Sequence, residues 1–161
     1  MAVEIIEIRV EHCENARLIG KKYMGRPNWG EWWANDWFAA IEQHPRIAFN
    51  SDAYIGAAHS VNGVTERFIG EIFPGNTPAP EGFEAAELPE EDYAVCYLRA
   101  KEGSGDFYTA ETHAQCIEAI KAQGLKPKAD AWGIERYNCP RFTAADENGR
   151  VILDYAIAIE G

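Results

Sequence analysis

Hydrophobic and polar residues alternate over several stretches of the chain, and this period of two residues predicts β-strands. The first stretch is VEIIEIRV, with one slip at Ile5 and Ile6, and ARLIGKKYMG follows after the polar segment EHCEN. We expect one edge-to-edge strand pair or one long bent strand there. Two later runs, DAYIGAAHSV and VTERFIGEIF, flank Asn62 and Gly63. Because these residue types tolerate positive φ, they predict the tight turn of a β-hairpin.

A helical period is present in the segment NWGEWWANDWFAAIEQH. Trp29, Trp33, Trp37 and Ile41 recur there at helical spacing, and Pro27 stands where a first turn would begin. The segment predicts one helix. Its tryptophans supply more aromatic area than is needed to hold a helix against a sheet, so we expect them in the core or in the wall of a binding site.

A second helix is predicted in the second half of the chain. Thr109 is a suitable N-cap, and Gly124 followed by Pro127 is a typical helix end. The spacing assigns an apolar face to this helix, consisting of Ala110, His113, Ala114, Ile117 and Ile120.

The order of elements in the first half recurs in the second. A segment rich in Pro and Gly, about residues 74–82, is typical of a linker. Aligning AYIGAAH with AWGIERY gives a period near 78 residues, and aligning LIG with YAV gives about 75. We therefore expect one α+β domain over 1–161, with pseudo-repeats at about 1–73 and 83–161. Each repeat is a strand-helix-strand-strand module, and the two modules form an antiparallel sheet with two helices and a central pocket.

Composition and charge narrow the classes of partner. The chain has 161 residues and a formal net charge of -11, which makes nucleic acid an unfavourable partner because Lys and Arg carry that affinity. No stretch approaches the roughly 18 apolar residues of a membrane span, and the start MAVEIIEIRVEH does not resemble a signal peptide. We expect a cytoplasmic protein with no membrane contact.

Metal, cofactor and triad chemistry have no support in the spacing of the residues. Cys13, Cys96, Cys116 and Cys139 form no CxxC pair, so we expect reduced and mostly buried thiols. The histidines form no HExxH motif, and EGSGDF matches neither a phosphate loop nor a nucleophile elbow. We expect no metal and no cofactor.

The order of these segments resembles the GyrI-like family, whose members also occur as effector-binding domains of AraC-type and MerR-type regulators. The resemblance covers nearly the whole chain and rests on VEIIEI, LIGKKYMG, DYAVCYLRA, WGIERYN and ILDYAIAI. It implies a Glu followed two residues later by an aromatic residue, in a pocket for lipophilic cations, and Glu135 and Tyr137 match that pattern. In the first half our alignment puts Ala57 at the position of Glu135.

Physical chemistry supports the same pair of residues. Period two puts Gly133, Glu135 and Tyr137 on one strand face and turns Trp132, Ile134 and Arg136 to the other. A carboxylate facing an apolar cleft either takes up a proton or attracts a cation, although a salt bridge to Arg136 or simple exposure would also satisfy it. The other ligand-binding candidates are aromatic residues of the first helix and of the strand runs: Trp33, Trp37, Tyr23, Tyr54 and Tyr97.

Three functions remain open from the sequence. The first is a stand-alone module that binds a hydrophobic cationic small molecule, in drug sensing or sequestration, as a possible homodimer or with a separate regulator chain. The second, implied by the resemblance, is hydrolysis of strained cyclopropane-type electrophiles, with Glu135 as general base and Tyr137 or another tyrosine as donor. The third is an acidic protein-inhibitor module. We expect binding rather than catalysis.

Overall fold

The computed structural model describes residues 3–160. Within this part of the chain, eight strands form one antiparallel sheet, and helices cover one of its faces. The strands are β1 Glu4–Cys13, β2 Ala16–Tyr23, β3 Ala53–Val61, β4 Val64–Pro74, β5 Glu84–Leu88, β6 Glu91–Lys101, β7 Gly133–Asn138 and β8 Arg150–Ile159. The helices are α1 Trp29–Ala34, α2 Trp37–Ile41 and α3 Ala110–Ala122, with short 3-10 turns at Ala48–Asn50 and Gly105–Tyr108. The predicted α+β class with an antiparallel sheet is confirmed.

The strand order is β1-β6-β8-β7-β3-β4-β2-β5. Strands β3 and β7 pair at the centre, and the same order of elements extends outwards on each side of them. The first strand of each half pairs with the other half, since β1 lies beside β6 and β5 beside β2. The expectation of a single strand or strand pair at the start of the chain was therefore wrong: β1 is one edge strand of the sheet, and β2 lies next to the other edge, beside β5. Sequence alternation gives strand positions but not strand partners.

The hairpin at Asn62 and Gly63 is present. Both residues have positive φ, 53° and 79°, as a primed two-residue turn requires. Strands β3 and β4 pair in register from this turn, from Val61 opposite Val64 to Ile55 opposite Gly70. The hairpin brings the β4 side chains beside those of β3 and β7, so that three strands form the floor of the site.

The single helix predicted after Pro27 is instead two short helices. Asn28 caps α1 through its side chain, which accepts a hydrogen bond from the Glu31 backbone N–H. The helix ends at Asn35, and Asp36 has φ 54°, in the left-handed region that ends an α-helix and redirects the chain into α2. This break changes which tryptophan is buried: Trp32 is fully buried, and Trp33 is 55% exposed.

Helix α3 begins and ends as predicted but presents a different face to the sheet. The Thr109 hydroxyl accepts a hydrogen bond from the Thr112 backbone N–H, and Gly124 has φ 79° just after the helix end. The buried residues are Thr112, Cys116 and Ile120. Of the predicted face only Ile120 is fully buried, because the buried stripe begins at Thr112 rather than at Ala110.

Apolar residues fill both faces of the sheet. One face carries a cluster that includes Leu18, Ile55 and Ile134. The other face carries two clusters, one beneath α3 around Cys116 and one beneath α1 and α2 around Trp32. The central strands between these two clusters have no helix directly above them, and a cavity opens there.

No helix in the part of the chain that the structure describes has the length and apolar character needed to cross a bilayer.

Candidate functional site

A cavity of about 690 Å³ lies between α1 and α3, above β3, β4 and β7. Its floor is the sheet and its walls come from α1, the segment before α1, the start of α3 and β8. The residues that contribute charged or aromatic side chains to its lining are Arg26, Trp29, Arg67, Phe107, Tyr108, His113, Glu135, Tyr137 and Tyr155. Glu135 is the single carboxylate among them.

Strand alternation places Glu135 in the cavity. Along β7, half-buried residues alternate with fully buried ones, so that Glu135 and Tyr137 point into the cavity and Ile134 and Arg136 point away from it. The residue opposite Glu135 on β3 is Gly56, and Ala57 lies opposite Ile134. Ala57 therefore faces away from the cavity, and the repeat alignment matched Glu135 with a residue on the opposite face of the sheet.

Gly56 makes room for the carboxylate. A Cβ atom at this position would lie 2.8 Å from Oε1 of Glu135, 3.3 Å from Cζ2 of Trp29 and 3.4 Å from Cε2 of Tyr137. The first distance is shorter than any ordinary carbon–oxygen contact. The absence of a side chain at Gly56 therefore allows Glu135, Tyr137 and Trp29 to converge.

The environment of Glu135 disfavours its negative charge. Burial among protein atoms raises its pKa, and a hydrogen bond from Tyr137 and the more distant Arg67 oppose this rise only in part. The Tyr137 hydroxyl donates to Oε1 over 2.7 Å. Among the described residues no Lys, Arg or His forms an ion pair with Glu135. The carboxylate is thus oriented by one donor and lacks a cationic partner.

Arg136, the cation adjacent in sequence, serves the opposite face of the sheet. Its guanidinium donates to Asp154 over 3.0 Å, to Glu11 over 2.8 Å and to the Phe49 carbonyl over 2.9 Å. This buried network satisfies Arg136 without Glu135. Glu135 therefore forms no salt bridge with Arg136, which was the alternative that the sequence left open.

Aromatic rings form much of the cavity wall. Trp29 packs edge-to-face on Tyr137, with 5.1 Å between ring centroids. A second cavity of about 290 Å³ shares Trp29, Tyr108 and Tyr137 with the first and adds Trp33, Tyr54 and Phe142. The two cavities are therefore adjacent, and these three aromatic residues line both of them.

Four of the seven predicted ligand-binding residues line these cavities: Glu135 and Tyr137 the main one, and Trp33 and Tyr54 the smaller one. The other three line neither cavity. Trp37 packs on Phe83 and lies under the Lys21 ammonium. The Tyr23 hydroxyl accepts a hydrogen bond from Trp32 and donates to Glu31.

Tyr97 is on the wrong face of the sheet for the site. It pairs with Asp154 in the β6–β8 register, and Asp154 pairs with Arg136. Residues directly opposite one another share a face, so Tyr97 faces away from Glu135. Its hydroxyl bonds to Glu11 and Arg136 instead. The prediction that Tyr97 lines the site was therefore wrong, because neighbouring residues of a strand point to opposite faces and Tyr97 points to the face without the cavity.

Sequence reasoning missed several cavity residues. Tyr155 lies opposite Glu135 on β8, and its hydroxyl is 2.6 Å from Nδ1 of His113. Burial raises the pKa of Tyr155. Alternation along β8 indicates which residues share a face with Tyr155, but not which residues lie opposite it on β7 or near it on α3. Arg26 and Arg67 carry no local signal, because a lone arginine in a loop or strand is usually on the surface.

Three of the four cysteines are buried, Cys13, Cys96 and Cys116. Over residues 3–160, the His, Cys, Asp and Glu side chains form no group of three or more with the geometry of a metal site.

No protein-family model matches the chain, and no curated protein sequence matches it. Solved structures share its fold. SAV2435 bound to tetraphenylphosphonium matches with a TM-score of 0.70 and 13% identity, over 97% of this chain and 95% of that one. A Staphylococcus aureus MU50 protein described as a transcription regulation protein matches with a TM-score of 0.62 and 15% identity, over 96% and 99% of the two chains. The EcmrR C-terminal domain matches with a TM-score of 0.57 and 8% identity, over 96% and 97%. At these identities the likeness is one of fold, and the chain has the fold of the GyrI-like family that its sequence resembles.

Proposed function

We propose that this chain binds small aromatic organic cations in its central cavity, with Glu135 as the counter-charge, and that it acts in sensing or sequestering them. One observation carries the proposal. The Glu135 carboxylate lies on the floor of an aromatic cavity and has no ion-pair partner among the described residues, although its adjacent residue is an arginine.

The electrostatics favour a cationic ligand. An ionised carboxylate in surroundings that raise its pKa is costly, and a bound cation removes that cost. The faces of Trp29 and Tyr137 add about 0.5 to 2 kcal/mol each for a cation held against them. Strongly hydrated ions such as sodium gain little, because aromatic rings cannot replace their water. The site therefore favours large cations with delocalised or shielded charge.

The size of the site suits a drug-sized molecule. Small-molecule pockets commonly have volumes of about 300 to 1,000 Å³, and the main cavity has about 690 Å³. SAV2435, which shares this fold, has a structure with bound tetraphenylphosphonium. That likeness supports the choice of the same cation as the first probe for this chain.

The test is a titration of intrinsic tryptophan fluorescence with tetraphenylphosphonium at pH 8, since a higher pH favours the ionised carboxylate of Glu135. The wild type, Glu135→Gln and Glu118→Gln are compared. Glu118 is exposed on α3 and outside the cavity lining, so its variant makes the same change of net charge. We expect saturable quenching in the wild type and in Glu118→Gln, and at least about tenfold weaker binding in Glu135→Gln. Equal affinities in all three proteins would refute the role of Glu135.

A second candidate function is hydrolysis of a strained electrophile. The observation that favours it is the presence of two acid–base pairs in one cavity, Glu135 with Tyr137 and His113 with Tyr155. Glu135 would take a proton from water, and a tyrosine hydroxyl would donate to the opening bond. Mass spectrometry after incubation with a cyclopropane-containing electrophile tests it. A ring-opened product that disappears in Glu135→Gln would support hydrolysis, and unchanged compound would exclude it for that compound.

A further inference from the structure

The charge of the cavity lining is opposite in sign to that of the protein as a whole. The chain carries 26 acidic residues against 15 basic ones. The cavity lining contains two arginines, Arg26 and Arg67, and one carboxylate, Glu135. A site for a simple cation gains nothing from a surplus of arginine, so the two guanidinium groups call for a separate explanation.

These two arginines also differ from the rest in their partners. The chain has nine arginines, and seven of them form an ion pair with an acidic residue. Among the described residues the two that form none are Arg26 and Arg67, which are the two in the cavity. Both are exposed to solvent at the cavity lining. Both guanidinium groups are free to meet an anion.

The floor between the acid and one of the bases is bare. Arg67 lies opposite Ala58, which lies opposite Gly133, while Glu135 lies opposite Gly56. These positions share one sheet face, and from strand spacing and rise the Cα atoms of Glu135 and Arg67 are about 12 Å apart. Side chains of Glu135, Trp29 and Tyr137 cover Gly56, but Ala58 and Gly133 have at most a methyl side chain, and a Cβ atom added at Gly133 would meet only the Ala58 carbonyl oxygen, at 3.9 Å. A flat ring system can lie directly on this part of the sheet.

We propose that the ligand of this cavity is an aromatic zwitterion, with its cationic group at Glu135, a planar ring system over Ala58 and Gly133, and an acidic group held by Arg67 and Arg26. The inference rests on the proposed function, because it adds an anionic group to the cation already assigned to Glu135. Guanidinium binds a carboxylate through paired hydrogen bonds, which gives such a site orientation as well as affinity.

The test uses a matched pair of dyes. Rhodamine B carries a delocalised xanthylium cation and a free carboxylate, and its ethyl ester carries the same cation without the acid. Absorbance and fluorescence anisotropy titrations give both affinities. We expect the wild type to bind the acid about tenfold more tightly than the ester. The double variant Arg26→Met/Arg67→Met is expected to bind both dyes about equally, with ester affinity unchanged or improved.

Arg9→Met is the control, since Arg9 is exposed on β1 and pairs with Glu7 far from the cavity lining. It removes one positive charge and should keep the preference for the acid. Equal binding of the two dyes by the wild type would overturn the inference, as would a preference that survives in the double variant. If neither dye binds while tetraphenylphosphonium still does, this inference fails and the proposed function stands. Loss of tetraphenylphosphonium binding as well would remove both.

Discussion

The convergence of three side chains at Gly56 gives a sharp prediction for Gly56→Ala. The added methyl group would lie 2.8 Å from Oε1 of Glu135, and it would also make tight contacts with Trp29 and Tyr137. An ordinary contact needs about 3.4 Å or more, so the carboxylate must move by about 0.6 Å. Displacement on that scale breaks or bends the 2.7 Å hydrogen bond from Tyr137.

The magnitude follows from that bond. A hydrogen bond to a charged group contributes about 1.5 to 3 kcal/mol, and about 1.4 kcal/mol corresponds to a tenfold change in Kd. We therefore expect Gly56→Ala to weaken tetraphenylphosphonium binding by about tenfold or more in the fluorescence titration. The overall fold should persist, because Gly56 has ordinary strand dihedrals and the clash is with side chains.

Gly133→Ala is the matched control. Gly133 lies on the same face and in the same cavity, but a Cβ atom there would meet only the Ala58 carbonyl oxygen, at 3.9 Å. Its affinity should fall clearly less than that of Gly56→Ala, because the added methyl group does not displace Glu135, and its Tm should be unchanged or higher because alanine restricts the unfolded chain. If Gly56→Ala binds as the wild type does, or if both variants lose affinity equally, the steric account of the site is wrong.

Three further predictions concern the same strand. Tyr137→Phe keeps the ring but removes the hydrogen-bond donor to Glu135. The pKa of Glu135 should therefore rise further, and the affinity for tetraphenylphosphonium at neutral pH should fall by about tenfold. Fluorescence titrations at several pH values measure both effects. Burial raises the pKa of Glu135 in the folded chain above its ordinary 4.5. The folded state therefore binds this proton more tightly than the unfolded state. The stability that the proton contributes is fully present below pH 4.5 and is lost as the pH rises through the raised pKa. Glu135→Gln should consequently be more stable than the wild type at pH 8 and no more stable at pH 4, in thermal unfolding followed by circular dichroism. Arg136→Met leaves Glu11 and Asp154 without their buried cation and should lower the free energy of unfolding by about 3 to 5 kcal/mol in urea.

The sequence predicted those structural features that depend on residues close together in the chain. Alternation along β7 identified the face shared by Glu135 and Tyr137, and Asn62 with Gly63 identified the central hairpin. Both features are set by residues within a few positions of each other, so a single stretch of sequence contains the information. The N-cap of α3 at Thr109 is likewise set by residues close in sequence, because its hydroxyl accepts from the Thr112 backbone N–H.

Features that depend on strand register and on pairing between distant segments could not be predicted from local sequence pattern. Tyr97 was assigned to the site because its strand was correct, but its face is fixed by pairing with Asp154 on another strand. The helix break rests on one residue, Asp36, whose left-handed conformation has no strong signal in its neighbours. Arg67 enters the cavity only because β4 pairs with β3. An isolated arginine in a strand gives no indication of this.

A crystal structure of this chain with tetraphenylphosphonium would test the central claim most directly. The account predicts the cation in the main cavity, with Glu135 as the nearest acidic group and phenyl rings against Trp29 and Tyr137. The Arg136 network on the opposite face should be unchanged. A cation bound outside this cavity, or inside it but away from the Glu135 carboxylate, would contradict the account.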